Sequence, residues 1–136
     1  VERSLVALGI EYKISKNPSD LSDVDRVIFP GVGEAAFAMD QLQKSGFDSF
    51  LKEFAASGKP LLGICLGSQV IFDYSEEGDT QCLGLVKGSV KHFSSVLPET
   101  EKNLKIPHMG SRSVDFVKNL PIFDGIPNHS DFYFVH

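Results

Sequence analysis

The hydrophobic and polar positions of this chain follow a helical period in some stretches and a strand-like pattern in others. Apolar residues recur every three or four positions in three stretches, and a glycine follows each stretch within two residues. Glycine in that place is a common C-terminal signal of helices. The pattern predicts helices at residues 1–8, 34–44 and 47–57.

Short apolar or alternating runs between these helices predict strands. They are "EYKIS" (11–15), "RVIF" (26–29) and "PLLGIC" (60–65), and the uniformly apolar third run is typical of a central parallel strand buried on both faces. The stretch "LGSQVIFDYS" (66–75) then predicts a crossover helix, and the acidic run at 75–79 its solvated end. "CLGLVKGSVKHF" (82–93) predicts a strand pair or a bulged strand, and the chain after Ser94 is mostly polar and irregular up to "FYFVH".

Strands that alternate with helices predict an α/β fold with a doubly wound, mostly parallel sheet and helices on both faces. We expect a single domain over residues 1–136. The chain begins without Met inside an apolar pattern and stops within an aromatic run, so we expect this domain to be incomplete at both termini. Ligands of such sheets bind beyond the carboxyl ends of the strands, where residues 30–33 and 63–67 lie.

Composition and charge narrow the function classes. Hydrophobic residues make up 42% of the chain and charged residues 23%, and no apolar run approaches the ~20 residues of a membrane span. Acidic residues outnumber basic ones by 18 to 13 without a Lys/Arg cluster, which argues against a nucleic-acid partner. The two cysteines, Cys65 and Cys82, lie in no CxxC or Cys/His ligand spacing. This pattern predicts neither a disulfide nor a metal site and favours the reducing cytoplasm.

Cys65 is the strongest candidate for chemistry, because it lies where a predicted strand turns sharply into a predicted helix. Gly63 and Gly67 relieve the crowding of such a turn. The unpaired N–H groups of the helix N-terminus favour a negative charge, so the pattern predicts a nucleophilic thiolate. A thiolate that attacks a carbonyl needs preorganised donors for the developing oxyanion, and the backbone N–H of Leu66 is the nearest candidate.

The segment "PGVG" at residues 30–33 can supply a second oxyanion donor. Gly31 and Gly33 flank Val32, so the backbone can approach a ligand closely just before the next helix begins. Most Pro-Gly pairs are simply turns, and this motif alone is weak evidence.

Taken together and in this order, "VIFPGVGEA", "GKPLLGICLGSQ", "CLGLVKGSVKHF", "KIPHMG" and "FYFVH" resemble the class I (triad) glutamine amidotransferases, and closely the glutaminase subunits of imidazole glycerol phosphate synthase. The resemblance implies a glutaminase in which Cys65 is the nucleophile and the amides of Leu66 and Val32 form the oxyanion hole. It also implies that Gly31, Gly33 and Gln69 contact the glutamine substrate. His108, Met109 and Gly110 are expected at the interface of a heterodimer with a cyclase subunit that uses the ammonia to make imidazole glycerol phosphate. No cofactor and no metal are expected.

Two departures from the family pattern keep alternatives open. The family's catalytic His and Glu lie on a His-Pro-Glu type segment that has no match here, so we expect this stretch of chain by itself to be close to inactive. Ser111 and Arg112 follow "PHMG" where the family has Trp and Asn, which leaves open a paralogue that feeds ammonia to another acceptor such as a sugar.

Two further alternatives are a non-catalytic regulatory module of the same fold and a redox protein with a cysteine elbow. "PGVG", Gln69 and "PHMG" have no role in a redox protein, which argues against the second. Of the remaining candidates, Cys82 is expected to pack as a small hydrophobe and His92 and His129 to lie on the surface, while His108 and His136 are interpreted as loop or interface residues. Without the resemblance, Gln69 could simply point at solvent.

Overall fold

The computed structural model describes residues 1–101 and 103–135, which form two compact units, residues 1–92 and a second unit that begins at Phe93. The first unit contains α1 (Glu2–Ala7), β1 (Val27–Gly31), α2 (Ala35–Ser45), α3 (Phe47–Ala56), β2 (Leu61–Cys65), α4 (Leu66–Val70), β3 (Phe72–Ser75), β4 (Thr80–Gln81) and β5 (Val86–Val90). The second contains α5 (Phe93–Val96), β6 (Met109–Ser113) and β7 (Asp131–Val135). Short 3-10 helices lie at Pro18–Leu21, Glu99–Glu101 and Pro121–Phe123.

The three helices predicted from the helical period are confirmed, with bounds that shift by at most one residue. Gly46 ends α2 in the left-handed conformation, with φ of 76°, and directly precedes α3. This position therefore needs glycine, which adopts such a φ without a steric cost. The two helices bury Met39, Leu51 and Phe54, and Met39 and Leu51 belong to the same core as Leu66 and Val70 of α4.

Strands β1 and β2 are parallel and in register from Val27 opposite Leu61 to Gly31 opposite Cys65. The carboxyl ends of the two strands therefore lie side by side. Their inner residues pack against the core, whereas Leu62 is 43% exposed and Ile64 36% exposed on the other side. The prediction that this run is a central strand buried on both faces is wrong, because within the described chain β2 pairs with β1 alone.

Two further predictions of local structure are wrong. "EYKIS" at residues 11–15 has no strand hydrogen bonding in the structure. The predicted crossover helix ends at Val70, and Phe72–Ser75 is instead strand β3. The acidic run at 75–79 is consequently the end of β3 and the turn to β4, and not a solvated helix end. Apolar residues at helical spacing do not distinguish a short helix followed by a strand from one longer helix, which explains the second error.

Strand β3 is the middle strand of a mixed sheet, antiparallel to β4 and parallel to β5. The register of β3 and β5 shifts between Phe72 and Tyr74, so the predicted bulged strand is confirmed in β5. In the second unit, β6 and β7 form an antiparallel pair from Met109 opposite Val135 to Ser113 opposite Asp131. Within the described residues, none of the helices has the length and apolar character needed to cross a membrane.

Candidate active site

Cys65 occupies the junction between a strand and a helix, as the sequence predicts. It is the last residue of β2 and the N-cap residue of α4, with φ of 57° and ψ of −121°. A positive φ is uncommon for a residue with a side chain, and it directs the side chain away from the regular path of the strand. Cys65 is exposed, so its thiol is accessible to a ligand.

The glycines around Cys65 allow a backbone approach that larger residues would block. A Cβ placed on Gly67 would collide with the carbonyl oxygen of Phe29 in β1. A Cβ on Gly63 would lie 2.7 Å from the Cα of Ser68. The first turn of α4 thus lies directly against the strands, and Ser68 Oγ donates a 2.7 Å hydrogen bond to the carbonyl oxygen of Cys65. These contacts hold the backbone of the turn in place.

The Val32 loop, which we define as residues 31–33, begins beside this turn. Gly31 is the register partner of Cys65, and a Cβ on Gly31 would lie 2.9 Å from the backbone N of Gly67 and 3.1 Å from Cβ of Leu66. Val32 is 90% exposed and Gly33 has φ of 98°. The structure therefore brings together the two backbone segments that the sequence nominates as oxyanion donors.

A cavity of about 260 Å³ opens next to the Val32 loop. Its lining includes Gly31, Val32, Leu66 and Gly67, together with residues of α2 such as Phe37. Cys65 is not among the residues that line it. The cavity lies on the α2 side of the loop, and its lining is mostly apolar.

Gln69 lies four residues after Cys65 and is half-buried in the last part of α4. The other cysteine, Cys82, is also half-buried, and its Sγ lies 3.6 Å from the carbonyl oxygen of Thr80. Burial raises the pKa of the Cys82 thiol above its ordinary value. A protonated, partly buried thiol is a poor nucleophile, which makes Cys82 the weaker candidate of the two cysteines.

The predicted interface residues belong to the second unit. The His108 ring stacks on Phe134 with centroids 5.9 Å apart, Met109 is 57% exposed, and Gly110 has φ of 142° in β6. His129 is exposed and its Nδ1 lies 2.6 Å from Oδ1 of Asp115.

The remaining histidines are His92 and His136. His92 is exposed just after β5, as predicted, and its backbone N donates to Glu76 Oε2. His136 lies outside the described residues. Among the residues that the structure describes, no three His, Cys, Asp or Glu side chains converge as metal ligands would.

Glu77 contacts the helix that follows the Val32 loop, and the sequence did not single it out. Its carboxylate accepts a 2.8 Å hydrogen bond from the backbone N of Ala35, 42 residues earlier in the chain. Ala35 is the first residue of α2, two positions after Gly33. The sequence contains no local signal for this contact, because capping motifs join residues within one turn of a helix.

Comparison with known proteins gives one family along the entire chain. The sequence model of the class-I glutamine amidotransferases matches residues 1–136. Imidazole glycerol phosphate synthase subunit HisH of Dehalococcoides mccartyi is 48% identical over 137 residues, which cover 100% of this chain and 63% of the relative. The HisH subunits of Nitratidesulfovibrio vulgaris and Maridesulfovibrio salexigens are 42% and 41% identical, again over 100% of this chain and 65% of the relative.

The solved structures agree on the fold. A chain described as a crystal structure of glutamine amidotransferase superposes with a TM-score of 0.67, at 19% identity, over 98% of this chain and 63% of that chain. At such a low identity the match shows the fold alone, and this shared fold confirms the predicted α/β class. This chain spans less than two thirds of the length of these relatives. On the match over its whole length, it belongs to the class-I glutamine amidotransferase family.

Proposed function

We propose that the protein is the glutaminase subunit of an imidazole glycerol phosphate synthase, which releases ammonia from glutamine for a cyclase subunit in histidine biosynthesis. The observation that carries this proposal is the elbow at Cys65, an exposed cysteine with positive φ at a strand-to-helix junction and with the Val32 loop beside it. The HisH names of relatives at 41% to 48% identity support the choice of pathway.

The proposed reaction is acyl transfer through the sulfur of Cys65. The thiolate attacks the side-chain amide carbon of glutamine, and the carbonyl oxygen becomes an oxyanion held by the N–H groups of Leu66 and Val32. The C–N bond then breaks, ammonia leaves with a proton from a general acid, and a thioester remains. Water hydrolyses the thioester to glutamate and returns the thiolate. No step requires a cofactor.

The family resemblance places the general acid on a His-Pro-Glu type segment. None of the four histidines of this sequence lies in such a segment. The site proposed here therefore comprises the nucleophile Cys65, the oxyanion donors Leu66 and Val32, and substrate contacts from Gly31, Gly33 and Gln69. Gln69 follows Cys65 by four residues, which places it one turn further along α4.

We further propose a cytoplasmic heterodimer in which His108, Met109 and Gly110 face the cyclase subunit. The exposure of Met109 in β6 suits an interface residue. A second candidate function rests on the sequence that follows these residues. Ser111 and Arg112 replace the Trp and Asn that the family has there, and Arg112 directs its guanidinium at the carbonyl oxygen of Ser111. A different sequence in this strand favours a different partner, so a paralogue with another ammonia acceptor is the alternative.

The test is a glutaminase assay on the protein at its full natural length, with and without a cyclase subunit. We expect ammonia release that Cys65→Ala and Cys65→Ser reduce by at least ~10³-fold, because the thioester needs that sulfur. Cys82→Ser is the matched control and should keep most of the activity, since Cys82 follows β4 and is not part of the elbow. Turnover of more than a few per cent in the Ala variant would overturn the nucleophile. Glutamine hydrolysis without formation of imidazole glycerol phosphate would favour the paralogue.

A further inference from the structure

Glu77 holds the first residue of the helix that follows the Val32 loop. Glu77 Oε2 accepts a 2.8 Å hydrogen bond from the backbone N of Ala35, and Ala35 is fully buried. Glu34 occupies the N-cap position of α2, but its side chain makes no capping hydrogen bond. The carboxylate that satisfies the helix N-terminus therefore comes from a remote part of the chain, and its negative charge also suits the helix dipole.

The turn that carries Glu77 is itself held in place. The side chain of Ser75 is fully buried, and its Oγ accepts a hydrogen bond of 3.2 Å from the backbone N of Glu77. Thr80 Oγ1 donates a 2.8 Å hydrogen bond to the carbonyl oxygen of Glu77. Gly78 has φ of 65°, and a Cβ there would lie 3.1 Å from Cβ of Ala36 in α2. The backbone around Glu77 is thus held by contacts that do not involve its carboxylate.

The Val32 loop has few contacts of its own between its two ends. Val32 is 90% exposed, and a Cβ placed on Gly33 would meet no atom of the described chain within 4 Å. One end of the loop is Gly31, which lies against the first turn of α4. The other end is Gly33, and two residues later Glu77 holds the backbone N–H of Ala35. The orientation of the Val32 N–H therefore depends on these two anchors.

We propose that Glu77 is a positioning residue for the oxyanion donors: by capping α2 it fixes the downstream end of the Val32 loop. This inference rests on the proposed glutaminase function and adds to it a residue that touches neither Cys65 nor the loop amides in the structure. Loss of the cap lets the first turn of α2 fray and the loop reorient. Because the oxyanion exists only along the reaction path, the loss acts on kcat rather than on KM.

The experiment compares Glu77→Ala, Glu77→Gln and Glu77→Asp in the full-length protein bound to its cyclase subunit. Gln keeps an acceptor oxygen at the same reach, whereas Asp keeps the charge but is one methylene shorter. The control is Glu76→Ala, because that neighbouring carboxylate contacts Lys91 and the backbone N of His92. The readouts are kcat, KM and the hydrogen-exchange rate of the Ala35 amide.

We expect Glu77→Ala to lower kcat roughly tenfold with little change in KM, and to speed exchange at Ala35 by about the same factor, as loss of a helix cap commonly does. Glu77→Gln should stay within about twofold of wild type, and Glu77→Asp should resemble the Ala variant. If Glu77→Ala does not fold, the test compares kcat, KM and exchange at Ala35 between Glu77→Gln and Glu77→Asp.

Two results would overturn the inference. Equal losses in the Gln and Ala variants through a raised KM would show that the charge of Glu77 binds the substrate instead. Unchanged kcat and unchanged exchange at Ala35 in the Ala variant would show that the cap has no effect on the loop. If the wild-type protein releases no ammonia, the proposed glutaminase function is wrong. That result is distinct from one in which the wild type is active and only the role of Glu77 is contradicted.

Discussion

Cys65 combines a strained backbone with close neighbours that only glycine permits. Its φ of 57° is a conformation that costs of order 1–3 kcal/mol for a residue with a side chain. The surrounding structure must hold this conformation, and it does so through the contact of α4 with β1 at Gly67 and the hydrogen bond from Ser68 Oγ to the Cys65 carbonyl. The placement of the sulfur therefore depends on residues that carry no reactive group.

Gly67→Ala tests this dependence at the residue scale. The added methyl would overlap the carbonyl oxygen of Phe29, so α4 has to move away from β1. We expect a loss of about 1–3 kcal/mol in the free energy of unfolding and a loss of glutaminase activity larger than the stability change explains. Urea unfolding and the ammonia assay measure the two effects.

The matched control for Gly67→Ala is Gly9→Ala. Gly9 has φ of 64°, but a Cβ there meets no atom of the described chain within 4 Å. That substitution should cost about 1 kcal/mol from the backbone alone and leave activity unchanged. Equal effects of the two substitutions would contradict a role for close packing at the elbow.

At the scale of elements, the bulge in β5 is stabilised by a side chain of the neighbouring strand. Phe72 lies opposite Val86 and Tyr74 opposite Ser89, so β5 has one more residue than β3 in this stretch. Asp73 Oδ2 accepts a 3.1 Å hydrogen bond from the backbone N of Gly88 within the bulge, and Lys87 Nζ lies 3.2 Å from Oδ1. The Asp73 carboxylate thus accepts a hydrogen bond from a backbone N–H that the irregular register leaves without a partner in the strand pairing.

Asp73 predicts a pH dependence of stability. The Gly88 N–H and then the Lys87 ammonium hold the pKa of Asp73 below its ordinary value of 3.8. A lowered carboxyl pKa in the folded state contributes stability that is present above the ordinary value and is lost as the pH falls through the folded value. Asp73→Asn should therefore be less stable than wild type near neutral pH, and the difference should shrink below about pH 4.

Urea unfolding between about pH 7 and pH 3 measures the Asp73 effect. Asp25→Asn, at an exposed aspartate outside the strands, is measured in parallel as the control for the loss of one carboxylate. A stability difference between Asp73→Asn and wild type that stays constant down to about pH 3 would refute the linkage.

At the scale of the whole molecule, the buried apolar residues are concentrated in the first unit. Among the described residues, the fully or nearly buried hydrophobic side chains run from Ala35 to Leu83. The second unit has ring contacts such as Phe116 on Phe123, with centroids 4.3 Å apart, but Val117 is 91% exposed and Ile122 62% exposed. The prediction of one domain over residues 1–136 stays a prediction, and the distribution of the core suggests how to test it.

We expect a polypeptide of residues 1–92 to unfold cooperatively without the second unit, because it contains these buried side chains and has a length at which domains fold. Circular dichroism with thermal unfolding measures this. In that polypeptide, Leu51→Ala should cost about 2–5 kcal/mol, since Leu51 is only 2% exposed. Leu8→Ala, at a residue 72% exposed, is the control and should cost less than ~0.5 kcal/mol. An unfolded 1–92 polypeptide beside a folded 1–136 chain would show that both units form one cooperative domain.

The sequence by itself determined the features that depend on neighbouring residues. The helical period and the glycines that follow it predicted α1, α2 and α3 to within one residue, and the uniformly apolar run before Cys65 predicted β2. The glycines at 63 and 67 predicted the elbow, because a sharp strand-to-helix turn requires residues without side chains at those positions. These signals are local, so they are present in the chain before it folds.

Only the tertiary structure decided the features that join distant residues. The end of α4 at Val70 follows from the pairing of Phe72–Ser75 with β4 and β5, since strand hydrogen bonds outweigh a helical spacing of apolar residues. The exposure of Leu62 and Ile64 depends on which strands and helices cover β2, which no local pattern specifies. The hydrogen bond from Ala35 to Glu77 spans 42 residues, so the acidic run looks like a solvated surface until the fold brings it to the helix N-terminus.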